Sequence, residues 1–152
     1  MNGKYEINTK ENREFLKASC EDLLNFGHRF PSPNGGSYYL GDDGTPWKDR
    51  NRETWITCRM AHVYSLGLML GHEGSGELVD AALKGLRGEL HDEKNGGWYA
   101  GVTQEGGIVP NKQCYAHAFV ILAASSALTA GRPEAKELLE EALAVYDRHF
   151  WN

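Results

Sequence analysis

The 152-residue chain has no basic block longer than two residues, no stretch of some twenty clean apolar residues, and no paired-cysteine motif. Each absence removes a class. With 16 Lys+Arg against 21 Asp+Glu the formal net charge is −5, so the footprint of a nucleic-acid binder or an anionic-membrane anchor is missing. The two most apolar runs, 55–70 and 114–130, are broken by Arg59 and His62 and by His117, which excludes a membrane-spanning helix. Met1-Asn2-Gly3-Lys4-Tyr5-Glu6 carries no apolar core of a secretory signal. Cys20, Cys58 and Cys114 are odd in number and lack CxxC or Cys/His spacing, so metal ligation is not expected. All three are read as buried, reduced thiols of a cytoplasmic protein.

What is present is an ordinary globular composition, 41% apolar and 24% charged, with one outlier: 18 glycines, about 12% against a usual ~7%. They fall between apolar runs and punctuate structure. Residues 9–26 carry Phe15, Leu16, Ser19, Cys20, Leu23 and Leu24 at helical spacing, closed by Gly27. The Pro31–Gly36 turn cluster, Tyr38-Tyr39-Leu40 and the Asp42-Asp43-Gly44 turn predict a small hairpin. A second helix, Thr54 to Leu70, is apolar nearly all round and therefore buried on most faces. A third, Ser75 to His91, is amphipathic. Gly96-Gly97-Trp98-Tyr99 and Gly106-Gly107 frame a second hairpin. A fourth helix, N-capped by Asn111, is again apolar all round up to Gly131, and a fifth starts at Pro133 and is amphipathic.

The pattern repeats. Trp55–Gly71 aligns with Tyr115–Gly131 at an offset of 60, each unit reading hairpin, buried helix, turn, amphipathic helix. Alternation of that kind suits a double ring in which outer helices wall in inner ones. A closed ring of six pairs would need roughly 360 residues at this period, and the chain holds about two and a half units. The expectation is an all-α chain that forms the N-terminal portion, residues 1–152, of a single larger barrel. The uncapped end at Phe150-Trp151-Asn152 fits that reading.

Three segments carry a family likeness: Trp55-Ile56-Thr57-Cys58-Arg59-Met60-Ala61-His62, Gly96-Gly97-Trp98-Tyr99, and Asn111-Lys112-Gln113-Cys114-Tyr115-Ala116-His117-Ala118-Phe119. They resemble the N-acylglucosamine 2-epimerase superfamily, and within it the bacterial aldose–ketose isomerases acting on mannose or sulfoquinovose. The resemblance implies an (α/α)6 barrel and interconversion at C1 and C2 of a sugar by two histidines acting as base and acid, without metal, nucleotide or other cofactor. Those histidines map beyond residue 152, so no catalytic residue is expected within the chain. Arg59 matches the family's arginine on the carbonyl-side oxygens, Tyr115 its substrate-binding tyrosine, and Trp55 a pocket-wall aromatic. The implied partner is a monosaccharide. A 2-epimerase of N-acylglucosamine or cellobiose type and a non-catalytic carbohydrate-binding or scaffold fragment are the alternatives, and assembly into a homo-oligomer stays open.

Taken from the residues alone, Arg59 is a guanidinium on a helix with almost no polar face, which calls for an anionic or oxygen-rich partner, either a sugar or an outer-helix carboxylate. Trp55 and Tyr115 occupy matching first turns, so they point to one mouth of the ring or pack at its rim. His62 is three residues from Arg59 and can share its face, whereas His117 sits some 200° round from Tyr115. Both are read as hydrogen-bonded core histidines. The carboxylates Asp42, Asp43, Asp49, Asp92 and Glu93 give no pair of the kind a glycoside hydrolase needs, and Asp42-Asp43-Gly44 reads as turn chemistry.

Overall fold

A computed structural model describes residues 3–151; Met1, Asn2 and Asn152, named above at the chain ends, lie outside the described residues. Five α-helices account for most of it: α1 (Lys10–Gly27), α2 (Thr54–Met69), α3 (Ser75–Arg87), α4 (Cys114–Thr129) and α5 (Ala135–Phe150). A 3-10 turn, Gly3–Tyr5, precedes α1. The strands are two residues each: β1 (Tyr39–Leu40) pairs β2 (Pro46–Trp47), and β3 (Arg52–Glu53), β4 (Gly101–Val102) and β5 (Ile108–Val109) form an antiparallel sheet in that order. Both expected hairpins are therefore present. The pairing of β3 with β4, Arg52 opposite Val102 and Glu53 opposite Gly101, was not expected, because it joins the strand entering α2 to the hairpin of the next unit.

The inner and outer roles follow the apolar pattern. α2 packs on α4, α3 on α2, and α5 on α4. The two inner helices run parallel, since their first turns meet at Trp55 and Tyr115 and later turns meet at His62 and Ser126. Small residues line the inner layers: Ala61, Ala116, Ala123, Ala124 and Ala127 are all fully buried, letting helices approach closely. The largest core side chains come from the loops, the outer helix α3 and a few inner-helix positions such as Tyr64. Phe30 stacks on Tyr64 at 5.4 Å, and buried Trp98 donates its indole N–H to the Leu86 carbonyl at 2.7 Å. Burial of each such ring contributes roughly 1.5–3 kcal/mol.

The Gly-Gly turn before each hairpin is latched to its inner helix by the same device, sixty residues apart. Ser37 N–H donates to Thr57 Oγ1 at 3.0 Å, and the Thr57 hydroxyl donates to the Glu53 carbonyl at 3.0 Å. In the second unit Trp98 N–H donates to His117 Nε2 at 3.1 Å, and His117 Nδ1 donates to the Gln113 carbonyl at 2.8 Å. Thr57 and His117 are equivalent parts. The first turn also abuts α3 so tightly that a Cβ on Gly85 would lie 2.2 Å from the Gly36 nitrogen. A cation stands before each inner helix: buried Arg52 pairs with Glu89, and half-buried Lys112 with Asp92 at 2.8 Å.

Four local expectations are corrected. α3 ends at Arg87, not His91, because Gly88 leaves helical geometry at φ −109, ψ −116. The N-cap of α4 is Gln113, not Asn111; Gln113 is extended at φ −110, ψ 129, and its carbonyl accepts from His117 Nδ1. Only Cys58 is buried; Cys20 and Cys114 are exposed, Cys114 beside the Tyr146 hydroxyl of α5 at 3.4 Å. Glu134 occupies the N-cap of α5, so Pro133 precedes that helix instead of opening it.

Candidate functional site

The first turns of α2 and α4 bring Trp55, Arg59 and Tyr115 together. Arg59 Nη2 donates to the Tyr115 hydroxyl at 3.1 Å, and the Trp55 and Tyr115 rings lie 6.1 Å apart, tilted by 60°. The guanidinium carbon sits 4.8 Å from the Trp55 ring centre and 5.0 Å from that of Phe119, which itself contacts Tyr115 at 4.8 Å. Arg59 is exposed, contrary to the burial read from its helix, and among the described residues it pairs with no carboxylate. Rings on two sides and one phenol hold the cation in place while leaving most of its five N–H donors without a protein acceptor. A planar donor fork set among aromatic faces is suited to oxygen-rich ligands whose C–H faces stack on rings.

Two members of this cluster were not anticipated. Glu53, at the end of β3, accepts through Oε2 from Trp55 Nε1 at 2.7 Å and from the Tyr39 hydroxyl. Tyr39 meets Trp55 edge-on at 6.4 Å. Burial first, and the Glu53 hydrogen bond second, push the Tyr39 phenol up, so it stays protonated and donates. A cleft of ≈ 320 Å³ lined by Tyr39, Asp49, Arg50, Asn51 and Glu53 adjoins the cluster, with Arg50 stacked on Trp47 at 4.3 Å. The signal for Glu53 was available: an acid two residues before Trp55, where the repeat places Gln113 before Tyr115.

Neither histidine of the inner helices joins the cluster. His62 Nδ1 is 2.7 Å from Ser126 Oγ, two turns along α2 from Trp55. His117 is fully buried behind Trp98, and burial, the largest influence, holds its pKa below the usual histidine value. Because Trp98 N–H needs an acceptor, the imidazole is neutral with its proton on Nδ1. Asp43 accepts from Thr45 N–H at 2.9 Å, the expected turn role. Asp92 is committed as well: Lys112 chiefly, then Asn95, hold its carboxyl well below the usual carboxylate range. No group of three or more His, Cys, Asp or Glu among the described residues is arranged to hold a metal ion, and no described helix is long and apolar enough to cross a membrane.

Residues 35–152 match the N-acylglucosamine 2-epimerase (GlcNAc 2-epimerase) family. The chain is 39% identical over 140 residues to the D-mannose isomerase of Thermobifida fusca, covering 91% of this chain and 34% of that protein. It is 34% identical over 146 residues to the D-mannose isomerase of Pseudomonas cannabina pv. alisalensis, covering 96% and 35%. A crystal structure of D-mannose isomerase superposes with a TM-score of 0.81 at 26% identity, over 92% of this chain and 37% of that one. The cellobiose 2-epimerase of Spirochaeta thermophila DSM 6192 superposes at 0.75 with 17% identity, over 92% and 39%, a likeness of fold alone. The five helices are thus a portion of an (α/α)6 barrel, and the chain spans about a third of the length of the curated relatives it matches.

Proposed function

The chain belongs to the N-acylglucosamine 2-epimerase family, whose sequence relatives here are isomerases, and from that premise we propose that residues 1–152 supply the N-terminal part of one catalytic barrel that isomerises an aldose at C1 and C2. The sugar is of the mannose or sulfoquinovose type. Trp55, Arg59 and Tyr115 form its binding wall. The observation that carries this reading is the Arg59 guanidinium, fixed by the Tyr115 hydroxyl and two rings, with no carboxylate on it among the described residues.

In the proposed reaction a base removes the C2 proton of the open-chain aldose, and the C–H electron pair becomes the C1–C2 double bond as the C1 carbonyl oxygen takes up a proton to give the enediol. An acid then delivers a proton to C1 as the C2 hydroxyl gives up its own, leaving a hydroxymethyl group at C1 and a ketone at C2. Arg59 donates to the oxygens that gain negative charge in that enediol and binds them more strongly than in the ground state. Tyr115 orients the guanidinium, and Trp55 offers a face to sugar C–H groups. The base and acid are histidines outside this segment. His62, beside Ser126, and His117, spent on Trp98, support that assignment.

Incubation with D-mannose, D-glucose, D-fructose and sulfoquinovose in deuterium oxide, followed by NMR, tests the proposal. The complete protein is expected to convert mannose to fructose with solvent deuterium at the exchanging carbon, and the 152-residue chain alone to give none. Conversion of mannose to glucose without ketose release assigns a 2-epimerase instead. Exchange by the isolated chain would place a working base among residues 1–152.

A further inference from the structure

The sugar-binding reading leaves one carboxylate of the cluster unused. Glu53 is held by its backbone on both sides, paired with Gly101 in the sheet and accepting the Thr57 hydroxyl on its carbonyl at 3.0 Å. Its position on α2 is the N-cap, yet its side chain makes no cap hydrogen bond, so capping does not account for the acid. The carboxylate turns to Trp55 Nε1 at 2.7 Å and to the Tyr39 hydroxyl, both donors on the single oxygen Oε2. An indole has one N–H, and committing it to a fixed acceptor fixes the plane of the ring. That ring is the one over which the Arg59 guanidinium lies at 4.8 Å.

We propose that Glu53 is a positioning residue of the sugar site: Oε2 ties the Trp55 indole and the Tyr39 phenol into one wall, and so sets the face against which Arg59 and the substrate pack. The inference rests on the reading of Trp55 and Arg59 as sugar-binding. The second repeat is an internal control. Gln113 sits sixty residues on with the same backbone role toward His117, but it is exposed and its side chain holds neither Tyr115 nor any other described residue. The side-chain tie is built only where Trp55 needs orienting, so it is not a requirement of the repeat.

Reach separates this role from the generic benefit of a negative charge at a helix N-terminus. Glu53→Gln keeps the length and an amide oxygen that accepts from Trp55 Nε1, whereas Glu53→Asp keeps the charge and loses a methylene. In the complete protein, Glu53→Ala and Glu53→Asp are expected to raise KM for D-mannose about tenfold, the worth of a hydrogen bond to a charged group, while kcat changes little. Glu53→Gln is expected to stay within about threefold. In a Trp55→Phe background Glu53→Ala should add nothing further, because the residue acts through the indole. The Trp55 indole N–H resonance should move upfield in Glu53→Ala, a readout independent of turnover. The proposal is overturned if Asp outperforms Gln, or if Glu53→Ala leaves both KM and the indole resonance unchanged. Arg59→Gln without effect on KM sinks the sugar-site reading itself, whereas a damaging Arg59→Gln beside a harmless Glu53→Ala overturns Glu53 alone.

Discussion

His117 is one of two histidines on the inner helices where a search for a catalytic base would look, and the structure assigns it a latch. Replacing it with alanine removes the acceptor of Trp98 N–H and leaves that buried donor without a partner. An orphaned buried N–H costs about 1–3 kcal/mol, and the space vacated beside Trp98 and Phe150 adds a cavity penalty of comparable size. The expected loss is about 3–5 kcal/mol, a large part of the 5–15 kcal/mol a domain of this size holds. Urea unfolding of His117→Ala against the parent chain measures it. The pH dependence is a second readout. Burial lowers the folded pKa of His117, so the unfolded chain binds the extra proton first. Stability contributed by the neutral ring is complete above the unfolded value near 6.5 and is lost as pH falls through the lower folded one. The parent should therefore weaken from pH 7.5 toward pH 5, and the alanine variant should lose that part of the slope. A His117→Gln variant of the complete protein that unfolds like its parent yet has lost turnover would refute the reasoning and put the imidazole in the chemistry.

Gly85→Ala tests the close approach of α3 to the first turn. A Cβ there falls 2.2 Å from the Gly36 nitrogen and 2.5 Å from its Cα, backbone atoms that cannot swing aside, so a loss of about 3 kcal/mol is expected in urea unfolding. An unchanged midpoint would show that the turn is not seated there. Asp92→Asn tests the second turn. Its carboxyl, lowered chiefly by Lys112 and then by Asn95, contributes stability above its unfolded value of 3.8 that disappears as pH falls through the folded one. The variant should show a flatter acid limb in thermal melts between pH 5 and pH 2, and an identical limb would mean the pair contributes nothing.

The double layer was legible because two helices apolar all round cannot sit on a surface, and because their sixty-residue offset predicts matched environments. The same offset put Trp55 and Tyr115 at one mouth, which the 6.1 Å ring separation bears out. Arg59 was misplaced in depth for a physical reason. The periodicity shows that α2 lacks a polar face, but not that one side of it is left uncovered, where Val63, Leu66 and Met69 are also exposed. Strand β3 was invisible because Arg52 and Glu53 have no strand propensity and pair only by meeting a distant Gly101 whose missing side chain admits them: a Cβ there would lie 2.7 Å from the Arg52 carbonyl. Glu53 went unread with it, since its importance comes from which way β3 aims it. The histidine latch was half legible: a core role was clear from the helix, its equivalence to Thr57 only from the hydrogen bonds.

The central claim is that Arg59, held by Tyr115 among aromatic rings, binds the sugar. Calorimetric titration of the complete protein with D-mannose tests it, comparing the parent with Arg59→Gln and Tyr115→Phe. The account predicts at least tenfold weaker binding for Arg59→Gln, which loses every charged donor, and about three- to tenfold for Tyr115→Phe, which loses one hydrogen bond to a charged group. Both variants should fold as the parent does, because Arg59 and Tyr115 are exposed. Mannose bound by folded Arg59→Gln as tightly as by the parent would contradict it.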